Sequence, residues 1–520
     1  MKQTCYEMLT ANADRKGNVV YYNHKISIQK LLRDTENLAF AFSRLNLKKG
    51  DVVTVYLPSC PQGLAAFYAC SKLGLVANIV HPLVPVKLLK ENLVKVHSKA
   101  LLFYDVLLPD ERQLADANQI LVRCSIADYV TFRKPVFALY SAVRSHRIKG
   151  VLTYNALRNQ CGNTQVCGSE DDVVCYMHSG GTSGTPKIVK LTNAAFNGIA
   201  RSMKLMYHPT EDIRAYNLAT LPIFHAFGLC AGVHAPLVLG YGVILVPKFD
   251  VNAVCRYLKN YRITCWSVVP AMIKKMFSAG RFDTAGMENM DVIWCGGDVL
   301  DESLVEKADE VLHRRCKRAQ LMRGYGLTEV CGVCTVNNFD NYQKESCGKP
   351  MPLCKVEIWD EEGNVLPYGV EGEIAVNSLG NMQGYLDGGG LVEKNGESWV
   401  TSGDIGYLDE KGFLHIVDRK KRSLKIAAVN VFPAQVENCV KKLSFVDEAC
   451  AVRCNVNDKP YLKVFVTLNT PTPLDVVKKS VEDICSANLI RYSVPRFVEV
   501  LDKMPRTDFG KIDYVSLEKR

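Results

Sequence analysis

A short apolar run followed at once by a loop of glycines and hydroxyl residues is the feature that most limits what this chain can be. Residues 173–176 read Val-Val-Cys-Tyr, a β-rich run of the kind found in a buried strand. Residues 177–187 follow as Met-His-Ser-Gly-Gly-Thr-Ser-Gly-Thr-Pro-Lys. A loop of this kind at the carboxyl end of a strand is where α/β sheets bind nucleotides. Gly180, Gly181 and Gly184 let the backbone turn tightly, while Ser179, Thr182 and Ser183 add hydroxyls, so N–H and Oγ donors converge on one anion. Lys187 adds a point charge, and the chemistry is phosphate binding. A flexible linker fits poorly, because Pro186-Lys187 directly follows the loop. The spacing G-x4-G-K-[ST] is absent, which excludes the usual nucleotide-hydrolase loop.

At 520 residues the chain exceeds one core and predicts two or more domains. Apolar content of 48% and charged content of 23% fit a globular protein with a large interior. The 20 cysteines lack disulfide-module spacing and no secretory signal precedes Met1-Lys2-Gln3, so reduced thiols and a cytoplasmic location are expected. The one C-x-x-C pair, Cys331 and Cys334, has no second pair to complete a zinc set. The net charge is +10, and residues 416–520 carry 19 Lys+Arg against 13 Asp+Glu, hence +6 of it. A basic terminal module suits a polyanionic ligand as well as an ordinary solvated surface. Residues 228–246 lack Asp, Glu, Lys and Arg, yet Gly240-Tyr241-Gly242, Pro236 and His234 interrupt them. A buried helix followed by a strand at 243–246 accounts for this stretch better than a membrane span.

Elsewhere, strand 52–57, helix 61–73 and strand 76–80 predict one βαβ unit, and residues 413–417 predict a strand. From Arg422 the elements shorten: helix 433–443, strands 449–453 and 462–468, helix 474–488. That is an α+β module of about 100 residues.

The loop, Ser-Gly-Gly-Thr-Ser-Gly-Thr-Pro-Lys-Ile, resembles the T-S-G-T-T-G-x-P-K-G phosphate loop of the adenylate-forming superfamily, which includes acyl- and aryl-CoA synthetases, luciferases and peptide-synthetase adenylation domains. Further motifs follow in the family's order. Residues 221–229, Leu-Pro-Ile-Phe-His-Ala-Phe-Gly-Leu, resemble L-P-x-F-H-x-x-G, which would put His225 between nucleotide and acyl sites; a satisfied core histidine is the alternative. Gly296-Gly297-Asp298 ends an apolar strand where backbone can approach a flat ring, and the family uses its glycine pair against adenine. Residues 323–329, Arg-Gly-Tyr-Gly-Leu-Thr-Glu, match G-Y-G-x-T-E. The resemblance implies that Tyr325, beside Gly326, stacks on adenine, Thr328 reaches a phosphate and Glu329 ligates Mg2+ through a hard oxygen. Gly372-Glu373 and Gly384-Tyr385 match weaker positions. Trp399-Val-Thr-Ser-Gly-Asp404 resembles W-x-x-T-G-D, where an aspartate after a strand-to-turn glycine accepts ribose hydroxyls. Arg419, in Asp418-Arg-Lys-Lys421, would join Asp404 on the ribose, with Lys421 at a hinge. Asp418 and Ala428 stand where the family has glycines. Residues 505–511, Pro-Arg-Thr-Asp-Phe-Gly-Lys, resemble P-x-T-x-x-G-K and make Lys511 the catalytic lysine. The likeness runs over residues 52–511.

It implies an α/β amino-terminal domain, residues 1–418, of several partly parallel sheets with a small β-barrel-like part, and a mobile α+β lid, residues 422–520, hinged near Lys421. The implied reaction turns a carboxylic acid and ATP into an acyl adenylate, with Mg2+ on Glu329 and Thr182 and with Lys511 bridging carboxylate and α-phosphate. Coenzyme A then takes the acyl group, and the Ala427-Ala428 face is presented for that step. Rival readings are an adenylation enzyme that loads a carrier protein and a non-catalytic nucleotide sensor. Against amino acids, Phe224-His225 offers no acid for a substrate ammonium. Acyl-pocket residues are expected near 229–233, at Gly296 and at Arg323-Gly324. No nucleic-acid partner is called for, and self-association as a homodimer stays open.

Overall fold

The computed structural model describes residues 3–12, 17–130, 147–179, 187–206, 215–316, 319–420, 422, 424–426, 429–456, 459–506 and 512–520. Gly180, Gly181, Thr182, Ser183 and Gly184 of the phosphate loop lie outside the described residues, as do Lys421, Ala427, Ala428 and Lys511. Contacts divide the chain into two compact units, Met1–Val356 with Val376–Val400, and Glu357–Ala375 with Thr401–Arg520.

The first unit is built on two large sheets. One has seven strands in the order Leu152–Thr153, Ile120–Cys124, Ser98–Tyr104, Val52–Tyr56, Val76–Ile79, Val173–Ser179, Lys187–Thr192. Every pairing is parallel except the last. The predicted βαβ unit is there, with Val52 opposite Val76. Its helix, Pro61–Leu73, starts on a proline and ends at Gly74 with φ 71°, and all 13 of its residues are buried. That explains the weak amphipathicity of the segment: a crossover helix enclosed on all sides needs no polar stripe.

The second sheet has nine strands, ordered Lys349–Pro350, Thr335–Val336, Gln320–Tyr325, Val292–Cys295, Ile263–Val268, Tyr216–Ala219, Gly242–Leu245, Asn18–Tyr21, His24–Ser27. Its interior pairings are parallel and antiparallel pairs finish both edges. Trp266, Ile293 and Leu321 from this sheet pack with Ile273, Val305 and Leu312 from its helices. The charge-free stretch forms the helical segments Phe227–His234 and Ala235–Val238 and then strand Gly242–Leu245. Among the described residues no helix is long and apolar enough to cross a membrane.

A five-stranded sheet orders Cys354–Trp359, Gly372–Ser378, Glu397–Leu408 and Val392–Lys394, with Leu414–Arg419 also paired to Glu397–Leu408. The second unit continues with helix Pro433–Val440, a three-stranded sheet of Val446–Val456, Lys459–Leu468 and Phe497–Val500, and helix Leu474–Asn488. Val436, Val440, Val464, Val466, Val477 and Val481 form its core. One local expectation fails: Asp404 does not follow a strand-to-turn glycine but lies inside the 12-residue strand Glu397–Leu408. Gly403 takes φ 70° without ending the strand, because Asp404 and Leu408 still pair with Arg419 and Leu414.

Candidate active site

The strand before the phosphate loop runs three residues further than 173–176, to Ser179, and Lys187–Thr192 returns antiparallel to it. Ser179 therefore sits opposite Lys187, and its Oγ donates to the Lys187 carbonyl at 3.4 Å. The two ends of the loop are thus tied in register. His178, just before them, is held by the Asn78 Oδ1 at 3.0 Å, while the Asn78 amide donates to Thr54 and Asn92. Burial, helped by the nearby Lys95 charge, lowers the His178 pKa to about 4, so the ring is neutral at pH 7.

Residues 382–386 lie along the strand that leaves the loop. Leu386 N donates to the Ile188 carbonyl at 2.8 Å, Lys190 N to that of Gly384 at 3.0 Å, and Gln383 N to that of Lys190 at 2.8 Å. At its start, Met382 N donates to the Glu329 carbonyl at 2.8 Å. The Tyr385 hydroxyl then donates to Glu329 Oε1 at 3.0 Å, and Lys187 Nζ stands 4.3 Å from the Tyr385 ring centroid. Burial and the adjacent Glu329 charge push the Tyr385 phenol up, which keeps it a proton donor. One tyrosine thus links the cation beside the phosphate loop to the carboxylate expected to hold metal. Among the described residues no group of three or more His, Cys, Asp or Glu could hold a metal ion. Mg2+ does not need such a group: it commonly takes one or two carboxylates and completes its shell with substrate phosphates and water. Half-buried Glu329 fits that role.

The same unit holds an apolar cavity lined by Phe227, Trp294, Gly296, Gly297, Tyr325 and Gly326 among others. The glycine pair and the tyrosine assigned to adenine are therefore in one wall. Thr328 opens the short turn that carries Glu329. Asp298 is exposed, and its Oδ1 accepts from Val299 N at 2.9 Å. Gly332, at φ 108°, is a required glycine, because a Cβ there would stand 2.8 Å from Phe227 N. The residues expected at an acyl pocket are only partly brought together. Gly296 and Gly324 line the cavity, and from 229–233 Ala231 does. Arg323 instead reaches the Leu300 carbonyl at 2.9 Å and pairs with Glu302. Strand alternation sends its side chain to the helix-covered face.

His225 is not a core histidine but exposed, with its ring 5.0 Å from that of Phe224. His234 is the buried one: its Nδ1 faces the Tyr68 hydroxyl and its Nε2 the Asn197 Oδ1, both at 3.1 Å. Burial lowers its pKa to about 3.

In the second unit, Arg419 Nε pairs with Asp404 Oδ1 at 2.9 Å, so the two proposed ribose ligands meet. Asp418, read above as a departure from a family glycine, is buried and accepts from Arg419 N at 2.7 Å and from Ala434 N at 2.8 Å. The second bond caps helix Pro433–Val440, and Arg422, 3.5 Å from Asp418, also pairs with Glu437.

Sequence reasoning missed the role of Tyr385, for which no signal beyond its Gly-Tyr pair existed. It also missed Trp294, which lines the same cavity as Gly296 and lies near the end of strand Val292–Cys295.

Comparison with known proteins gives the family and the fold. The AMP-binding enzyme family profile matches residues 9–386, and the profile of its C-terminal domain matches residues 435–511. A long-chain-fatty-acid–CoA ligase of Bacillus subtilis (strain 168) is 27% identical, the match covering 98% of this chain and 93% of that protein. An indoleacetate–CoA ligase of Aromatoleum aromaticum is 27% identical over 96% and 93%. The o-succinylbenzoate CoA synthetase of Bacillus subtilis, solved with its acyl-adenylate intermediate, superposes with a TM-score of 0.80 at 22% identity, covering 100% of this chain and 98% of that one. With a profile match over most of its length and a large α/β domain followed by a smaller one, the chain belongs to the AMP-binding enzyme family.

Proposed function

We propose that this protein joins a carboxylic acid to coenzyme A through an acyl adenylate, consuming ATP and releasing pyrophosphate and then AMP. The observation that carries the reading is the Lys187–Tyr385–Glu329 cluster, in which a phosphate-side cation and a metal-side carboxylate meet on one tyrosine. The CoA ligases among its relatives support it.

Bringing a carboxylate to ATP sets two anions together, so the barrier is largely repulsion plus charge shifting onto the α-phosphate and departing pyrophosphate. The acid is already ionised at neutral pH, and no general base is required. Ser179, Gly180, Gly181, Thr182, Ser183, Gly184 and Lys187 are assigned the β- and γ-phosphates. Tyr325 stacks the adenine against Gly296-Gly297, with Gly326 and Asp298 at its edge, and Thr328 takes the α-phosphate. Asp404 with Arg419 takes the ribose, and Lys511 spans carboxylate and α-phosphate. Mg2+, held by Glu329 with Thr182, would supply further neutralisation of phosphate charge. His225, exposed just ahead of helix Phe227–His234, is assigned the place between nucleotide and acyl group. Within this reading the functional division is 1–418 and 422–520 with a hinge near Lys421, which is distinct from the division by packing.

The cavity has no acidic residue among those that line it, so an α-ammonium would be buried unpaired. The test is ATP–pyrophosphate exchange over a panel of carboxylic acids and α-amino acids, followed by mass spectrometry with coenzyme A present. Exchange with uncharged-tail acids and a coenzyme A thioester product are expected. An acyl adenylate that accumulates unchanged with coenzyme A, or exchange confined to amino acids, refutes the assignment.

A further inference from the structure

Resting on the ribose assignment of Asp404 and Arg419 made above, we infer that Glu373 is a positioning residue for the nucleotide: it fixes the backbone that aims Asp404 at the ribose hydroxyls. The sequence offers Gly372-Glu373 only as a match to a weaker family position, with no task attached.

The need for such a residue comes from Gly403. It precedes Asp404 inside strand Glu397–Leu408 and takes φ 70°, a conformation open to glycine and costly for other residues. A Cβ at Gly403 would meet nothing within 4 Å, so packing does not hold the backbone there. Hydrogen bonds do. Gly403 N donates to Glu373 Oε1 at 3.2 Å, and the Gly403 carbonyl accepts from Lys420 N at 2.8 Å. The other carboxylate oxygen, Glu373 Oε2, pairs with Lys420 Nζ at 2.6 Å. One side chain thus closes a ring through Gly403 and Lys420, the immediate neighbours of the two ribose residues. Asp404 and Arg419 lie opposite each other in the paired strands, one rung in from that ring, with Nε and Oδ1 2.9 Å apart. Ser402 Oγ accepts from Asp404 N at 3.0 Å, which ties residue 404 to 402 and leaves the direction of both to the glycine between them.

Glu373 is brought to this place by its own strand. Gly372–Ser378 lies beside Glu397–Leu408 in the sheet, and a Cβ at its first residue would stand 2.5 Å from the Trp359 carbonyl. The Gly-Glu pair is therefore one device: the glycine lets the strand press against Trp359, and the glutamate reaches across to the next strand. Its side chain is only 15% exposed and both of its oxygens are engaged, so it acts through Gly403 and Lys420.

Without Glu373 the order of Gly403 has to be supplied when the ribose binds. Fixing the backbone of one residue corresponds to a factor of about five to thirty in an equilibrium constant. That penalty falls on ligands that carry ribose hydroxyls, the groups assigned to Asp404.

The experiment measures dissociation constants of ATP and of 2′,3′-dideoxyATP, each with Mg2+, by isothermal titration calorimetry on the full chain without an added acid. The native protein is expected to bind ATP at least about tenfold more tightly, the low end for hydrogen bonds to a charged group. Glu373→Ala should weaken ATP at least about fivefold and leave dideoxyATP within about twofold, which also certifies that the variant is folded. Glu373→Gln, the safer fold, keeps an oxygen for Gly403 N, loses the ion pair to Lys420 and should lower the ratio by less. Equal weakening of both nucleotides in Glu373→Ala makes its role structural only, and an unchanged ratio removes its role. Either result overturns the inference and leaves the ligase reading standing. Equal binding of the two nucleotides by the native protein overturns the ribose assignment and the inference with it. Discrimination that depends on Glu373 but comes with no acid-dependent pyrophosphate exchange overturns the activity and leaves the inference standing.

Discussion

Tyr385→Phe removes one hydroxyl and keeps the ring on which Lys187 rests. The lost contact is a single hydrogen bond to a carboxylate, 3.0 Å from Glu329 Oε1. Hydrogen bonds to charged groups contribute about 1.5–3 kcal/mol, and the partial exposure of both residues places this one at the low end, near 1.5 kcal/mol. Since about 1.4 kcal/mol is a factor of ten, a roughly tenfold loss is expected. Its form matters more than its size. If the hydroxyl orients a metal-holding carboxylate, the loss appears as a raised Mg2+ requirement for acid-dependent pyrophosphate exchange, partly recovered at high Mg2+. Transfer from a supplied acyl adenylate to coenzyme A, which needs no triphosphate, is spared. Exchange in Tyr385→Phe with the native rate and native Mg2+ dependence would refute the positioning role. An equal fall in both half-reactions would mean that the variant merely loosens the 382–386 segment.

Two other expectations follow. Lys511→Ala should suppress exchange by about 10²–10³, the usual effect of deleting a group that stabilises developing charge, yet leave thioester formation from supplied adenylate nearly intact; normal exchange would remove Lys511 from the chemistry. His178 and His234 have folded pKa values of about 4 and about 3, both depressed below the usual 6.5, so their contribution to stability is present above pH 6.5 and is lost as pH falls toward 4. In the lower part of that window the unfolded chain binds up to two more protons than the native one, a slope of about 2.7 kcal/mol per pH unit, and His178→Gln should reduce that slope by half in urea titrations followed across pH 4–7. An unchanged slope would place the acid sensitivity in other groups.

Much of the architecture was legible because its signals are local. Helix Pro61–Leu73 is bracketed by a proline and a glycine, and strands such as Val52–Tyr56 are unbroken apolar runs that fit only a sheet covered on both faces. The continuation of the strand through Ser402-Gly403-Asp404 was not legible. A glycine with positive φ and an aspartate read as a turn, and the pairing of Asp404 with Arg419 that carries the strand onward comes from a segment 15 residues later. Asp418 illustrates the same point in reverse. As a motif position it is a departure, whereas in the fold it is a buried carboxylate that caps a helix starting 15 residues on and pairs with Arg422.

The candidate site divides along the same line, for a chemical reason. In the reading proposed above, phosphates and adenine are met by backbone amides, glycines and a few polar groups, which can be recognised one at a time in the sequence. The acid, in the same reading, is met by side chains whose placement depends on registers between strands such as Val292–Cys295 and Gln320–Tyr325, separated by the helix Glu302–Arg315. Trp294 is within two residues of the most recognisable glycine pair in the chain, and nothing in its own neighbourhood marks it. Its neighbours Ser267 and Met322 come from two other strands, so the face it shares with them is set by strand register and by nothing in its own segment.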